Sequence, residues 1–124
     1  MKPSILPELL LLTTCLAAPA CPAAEPANAQ QGRRLLATHG CAACHSIPGI
    51  APGQTLVGPP LDQVAKASYV AGILPNSQAN LARWIMHPRH FHPQSAMPEL
   101  GLSEQEAADM AAYLYQVSPK RGQR

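Results

Sequence analysis

Charge is sparse in this chain: 13% of its 124 residues are Asp, Glu, Lys or Arg, and the formal net charge is +2. That balance is too weak to imply a nucleic-acid partner. Lysine is scarcer still. Beyond Lys2 there are only Lys66 and Lys120, and the arginines (Arg33, Arg34, Arg83, Arg89, Arg121, Arg124) are scattered, so a dense lysine ring for docking is absent. No run reads as a β-strand, no segment repeats, and nothing marks a second domain. The one long apolar run, Leu9 to Ala18, is too short to span a bilayer.

That run follows Lys2 and precedes small residues around Ala18-Pro19-Ala20 and Pro22-Ala23-Ala24, the pattern of a secretory signal. The expectation is a signal peptide over 1–24, cleaved before Cys21 or Glu25, and one domain over 25–124 in the periplasm or an equivalent exported compartment. Pro19, Pro22 and Pro26 would break any continuation into a folded helix. Glu8 is unusual in such a leader. Its loss accompanies that of Lys2, so the mature charge stays at +2, from eight Lys plus Arg against six Asp plus Glu. Cys15 and Cys21 leave with the leader; alternatively Cys21 is a lipid anchor, although Ala18-Pro19-Ala20 lacks the bulky aliphatic expected three residues before it.

The mature part reads as all-α. Asn28 can cap a helix running to about Thr38, stopped by Gly40, with Gly32 inside it as a sign of close packing. Seven Pro and Gly residues between Ser46 and Pro60 forbid long regular structure. A brief helix is expected over Leu61 to Ala67, burying Leu61, Val64 and Ala65. The next is capped by Asn76 or Ser77, carries Leu81, Trp84 and Ile85 as its apolar stripe, and ends at Pro88. A loop from His87 to Leu102 follows. Ser103-Glu104-Gln105-Glu106 is a capping box, and Ala107, Met110, Ala111 and Leu114 form the inner face of the last helix.

The chemistry lies in Cys41-Ala42-Ala43-Cys44-His45, the attachment pattern for c-type haem. Two thiols three residues apart reach the two vinyl groups of one haem edge, and the next imidazole falls under the iron. A thioredoxin-like pair would need a βαβ setting, and a zinc site would need further thiols or paired imidazoles that the mature chain does not supply. His39 shares the helix end beside the pair and reads as a solvated histidine.

The mature chain resembles the class I monohaem cytochromes c. The resemblance runs through the glycine-bearing first helix, Cys41 to His45, Gly58-Pro59-Pro60-Leu61, Leu81-Ala82-Arg83-Trp84-Ile85, Ala96-Met97-Pro98 and Ala111-Ala112-Tyr113-Leu114. It implies a small fold of about four short helices and Pro/Gly-rich loops wrapped around one covalent haem. It further implies that the Pro59 carbonyl holds the His45 imidazole, that Trp84 donates to a haem propionate, and that Gly32 packs against Tyr113 where the first and last helices cross. Leu36 departs from the pattern, an aromatic being common near there.

For the second axial ligand the candidates are Met86, Met97, Met110, His39, His87, His90 and His92. Met110 reads as core filler, and Met86 and His87 sit at a helix end. Met97 occupies a place that resembles the family's methionine loop, with His90 and His92 in the same loop as the main rivals. A His/Met haem has a raised potential and a filled sixth position. The expected function is a monomeric, non-enzymatic one-electron carrier between a dehydrogenase or quinol-oxidising complex and a terminal oxidase, touching membranes only through partners or a lipid anchor. The alternatives are a tethered subunit of a larger redox complex, or a haem peroxidase or gas sensor, which the lack of a recognisable acid–base pair disfavours.

Overall fold

The computed structural model describes residues 24–53 and 57–119; the expected leader and its cysteines, up to residue 23, lie outside the described residues. Helix α1 spans Ala29–Thr38, and the Asn28 side chain accepts hydrogen bonds from the Gln30 and Gln31 amides at 3.0 and 3.1 Å. After α1 the chain turns through Gly40, at φ 74°, into a 3₁₀ turn over Cys41–Ala43. A second 3₁₀ turn covers Val64–Lys66. Strands β1 (Tyr69–Val70) and β2 (Leu74–Pro75) pair antiparallel, and helices α2 (Gln78–Met86), α3 (Pro88–Phe91) and α4 (Glu104–Val117) complete the order.

Helix α4 is the centre of the molecule, with α1 and α2 packed on it. Its N-terminus carries the expected box: Ser103 Oγ accepts from the Glu106 amide at 3.3 Å, while Glu106 Oε2 accepts from the Ser103 amide at 2.8 Å. The expected inner face, Ala107, Met110, Ala111 and Leu114, is buried to 2% exposure or less. Leu35, Leu36, Ile47, Val70, Leu81 and Ile85 close the core around it.

At the crossing of α1 and α4, a Cβ built on Gly32 would fall 1.9 Å from the Asp109 carbonyl oxygen, so Gly32 meets the α4 backbone. The Tyr113 hydroxyl donates to the Pro48 carbonyl at 2.7 Å. The buried Asp109 carboxylate accepts from the Asn28 amide at 2.7 Å and from Gln105 Nε2 at 2.9 Å, tying the start of α1 to α4.

Three local expectations change. The helix over Leu61–Ala67 is reduced to Val64–Lys66, because its backbone groups are taken from outside: the Leu61 amide donates to Ser46 O, the Ala65 amide to Ser118 Oγ, and Asn76 Nδ2 donates to the carbonyls of Val64 and Ala67. A hairpin forms where no strand was expected. Its turn sets Ala71 and Gly72 both at positive φ and closes with the Ile73 amide on Val70 O. Finally, Pro88 ends α2 but also opens α3, a single turn inside the expected loop, since a proline suits the first helical position.

Candidate functional site

The 3₁₀ turn brings the two thiols to one side. Residues three apart eclipse one another in such a turn, and the amides of Cys44 and His45 both donate to the Cys41 carbonyl, at 3.2 and 3.0 Å. Cys41 and Cys44 are half-buried thiols, with no disulfide between them. Burial pushes the Cys41 thiol above its ordinary value, its backbone hydrogen bond opposes this, and the neighbouring Cys44 adds a little to the rise. Among the described residues, no group of three or more His, Cys, Asp or Glu could hold a metal ion unaided.

His45 is held from two directions. Its Nδ1 lies 2.7 Å from the Pro59 carbonyl oxygen, and because a carbonyl only accepts, the ring proton resides on Nδ1 and the lone pair on Nε2. The expected role of Pro59 is thus visible as geometry. Beside it, Gly58 forms a seat: a Cβ there would fall 2.4 Å from His45 Cε1 and 3.0 Å from the Cys44 carbonyl. The Gly58 amide donates to that same carbonyl at 2.8 Å.

The turn is anchored on its other flank by residues that sequence reasoning did not assign. Ile47 and Ala51 exchange backbone hydrogen bonds at 2.8 and 2.9 Å, closing a small loop. Arg33 Nη2 donates to Gly49 O at 2.8 Å, and Tyr113 to Pro48 O, so α1 and α4 both grip this loop. The available signal was a tyrosine on the buried face of α4, whose hydroxyl must find a partner when the ring is buried.

Met97 and Trp84 are both half-buried and pack against the core, as do Leu61, Val64, Leu74, Met86 and Leu100. Met110 is fully buried within it. His87, His90 and His92 are exposed, and the His90 ring stands edge-on to Phe91 with centroids 4.9 Å apart. His39 is turned back on its own helix, its Nδ1 2.9 Å from Leu35 O. Leu36 is 2% exposed.

These residues fit a haem. The turn offers two thiols and an imidazole whose Nε2 lone pair remains for a metal, and half-buried apolar side chains, Leu61, Trp84 and Met97 among them, pack against the core. Such an arrangement in an all-α domain of this size defines the class of small c-type haem proteins. The chain belongs to the cytochrome c family, whose model matches residues 29–118.

Cytochrome c oxidase subunit 2 of Alkalihalophilus pseudofirmus is 31% identical over 87 residues, which cover 69% of this chain but 25% of that protein. The chain therefore spans about a quarter of the relative's length. Among solved structures, SoxXA from P. pantotrophus superposes with a TM-score of 0.59 at 19% identity, covering 77% of this chain and 85% of that one. Cytochrome c2 from Rhodobacter sphaeroides gives 0.56 at 17%, covering 77% and 99%. Cytochrome cH from Methylobacterium extorquens gives 0.55 at 27%, covering 72% and 98%. The fold is the small cytochrome c fold, its cofactor is a single covalently bound haem c, and the family's task is electron transfer. No helix among the described residues is long and apolar enough to cross a membrane.

Proposed function

We propose that the protein is an exported, periplasmic one-electron carrier in which Cys41 and Cys44 form the thioethers and His45 and Met97 ligate one haem. The observation that carries this reading is the 2.7 Å contact from His45 Nδ1 to Pro59 O, within a Cys-x-x-Cys-His turn seated on Gly58. That contact sets the tautomer and ring plane, presents Nε2, and raises the imidazole's basicity. When bound, the haem supplies the one-electron redox couple. The chain's own contribution is axial ligation, exclusion of water by the apolar side chains, and a rigid frame that limits reorganisation.

Exposure supports Met97 over the histidines of its loop, because Met97 is half-buried against the core while His90 and His92 face solvent. Trp84, half-buried on α2, suits the propionate-donor role. Electrons would pass from a dehydrogenase or quinol-oxidising complex to a terminal oxidase, the chain acting as a monomer and not as an enzyme.

Optical spectra of the purified native protein in both redox states test the reading. Wild type is expected to show a low-spin spectrum with the weak sulfur-to-iron charge-transfer band at the near-infrared edge, and Met97→Ala to lose it, while His90→Ala and His92→Ala keep it. Retention of that band in Met97→Ala would overturn the assignment. Rapid carbon monoxide binding by wild type would favour the peroxidase or sensor reading.

The likeness to an oxidase subunit favours a second reading, a cytochrome module tethered within a larger redox complex. Mass spectrometry of the mature N-terminus distinguishes them: an acylated Cys21 supports tethering, and an unmodified start at or near Glu25 supports the free carrier.

A further inference from the structure

We infer that Arg33 and Tyr113 are positioning residues for the axial histidine: from α1 and α4 they clasp the loop that follows His45, and the clasp keeps the His45 ring on the Pro59 carbonyl and so holds the midpoint potential down. The inference rests on the reading of His45 as an iron ligand given above.

The bond between His45 Nδ1 and Pro59 O depends on its surroundings. Pro59 and Pro60 carry no amide proton, so the stretch 58–61 can donate backbone hydrogen bonds only from its two ends. Both ends donate to carbonyls that flank His45: the Gly58 amide to Cys44 O at 2.8 Å, and the Leu61 amide to Ser46 O at 3.0 Å. The Pro59 carbonyl therefore stays on the imidazole while Cys44 O and Ser46 O keep their places. Cys44 belongs to the end of the 3₁₀ turn, and Ser46 leads into the loop closed by Ile47 and Ala51.

That loop is gripped twice, at adjacent carbonyls and from different helices. The Tyr113 hydroxyl donates to Pro48 O at 2.7 Å, and Arg33 Nη2 donates to Gly49 O at 2.8 Å. Gly49 has φ 75°, and a Cβ there would fall 2.6 Å from the Tyr113 hydroxyl, so the tip of the loop admits no side chain while the tyrosine is in place. A surface arginine ordinarily keeps its guanidinium in water. Arg33, although exposed, aims its own at a backbone carbonyl. Arg33 directly follows Gly32, and Tyr113 lies one helical turn beyond Asp109, so the clasp ties Ser46, and with it Pro59, to the contact where α1 and α4 cross.

The consequence is electronic. A ring whose Nδ1 proton is shared with a carbonyl is the stronger base at Nε2, and a stronger donor favours the more positive state of a bound metal, which lowers the potential. Loosening the clasp lengthens the bond to Pro59 and raises it.

The test uses the native holoprotein. Tyr113→Phe removes the hydroxyl and no charge. It is expected to shift the midpoint upward in a redox titration. Exchange of the His45 Nδ1 proton with deuterated water, followed by NMR in the reduced state, should become roughly two- to tenfold faster, the factor by which losing one hydrogen bond raises a local opening equilibrium. Gly49→Ala, which evicts the hydroxyl, should do both as well. Arg33→Gln should speed the exchange likewise and is judged on exchange alone, because it also removes a charge. Wild-type exchange in all three variants would overturn the inference. So would a wild-type or lowered potential in both Tyr113→Phe and Gly49→Ala, even with reduced thermal stability, because the clasp would then serve only the fold. A wild-type spectrum without histidine-bound low-spin iron would instead sink the ligand assignment itself, so the two failures are distinguishable.

Discussion

Gly32 of the first helix and Asp109 of the last meet backbone to backbone, so closely that one added carbon on Gly32 would lie 1.9 Å from the Asp109 carbonyl oxygen. Neither partner in this contact can yield as a flexible side chain would, because both are helical main chain.

Gly32→Ala is accordingly expected to force α1 away from α4. Overpacking of a close contact costs about 1–3 kcal/mol, and helix propensity returns less than about 1 kcal/mol. Denaturant unfolding of the holoprotein should show a net loss of about 1–2 kcal/mol. A variant as stable as wild type would mean the helices separate without cost.

Asp109 supplies the second bond between the same helices. Asp109→Ala leaves the Asn28 amide and the Gln105 side chain without their acceptor, and a typical hydrogen bond at a part-buried site contributes about 0.5–1.5 kcal/mol. In Gln105→Ala the loss should be smaller, since the Asn28 amide keeps its partner. Equal losses in the two variants would show that the Asn28 bond contributes little.

Gly58→Ala places a methyl group against the His45 ring and the Cys44 carbonyl. The ring must tilt, and its bond to Pro59 must lengthen. The expected outcome is a less basic imidazole and a shifted midpoint potential, read by redox titration, together with a lower yield of covalent holoprotein. An unchanged potential would show that Gly58 serves only the path of the chain.

Glu106 gives a pH prediction. The Ser103 amide, then its hydroxyl, hold the Glu106 carboxyl below its ordinary value of 4.5. A carboxyl depressed in the folded state contributes stability above its unfolded pKa, and that contribution is lost as pH falls through the folded pKa. Glu106→Gln keeps an oxygen for the capping box but removes the charge. Thermal melts should therefore show wild type more stable near pH 7, with the difference shrinking below about pH 4.5. A difference independent of pH would place the effect in hydrogen bonding alone.

Helices α1, α2 and α4 were legible because each announces itself locally. Asn28 and Ser77 cap their own following amides, and the Ser103–Glu106 box is closed within four residues. The Cys-x-x-Cys-His motif is equally local, since a five-residue spacing suffices to bring Cys41, Cys44 and His45 into one turn. The hairpin was hidden because a strand of two residues has no alternation to read. The helix over Leu61–Ala67 was overstated because its hydrogen-bonding groups are claimed by Ser46, Asn76 and Ser118, at distances along the chain that no local pattern reveals.

From residues alone, the resemblance to the family and the ends of the main helices could be read, because short motifs and caps act over a few neighbouring positions. Tertiary structure alone decided that Gly32 meets the Asp109 backbone, that Tyr113 and Arg33 hold the loop after His45, and that His90 and His92 face water while Met97 packs inward. Those choices depend on which polar groups, up to 81 residues apart, can satisfy one another once water is removed.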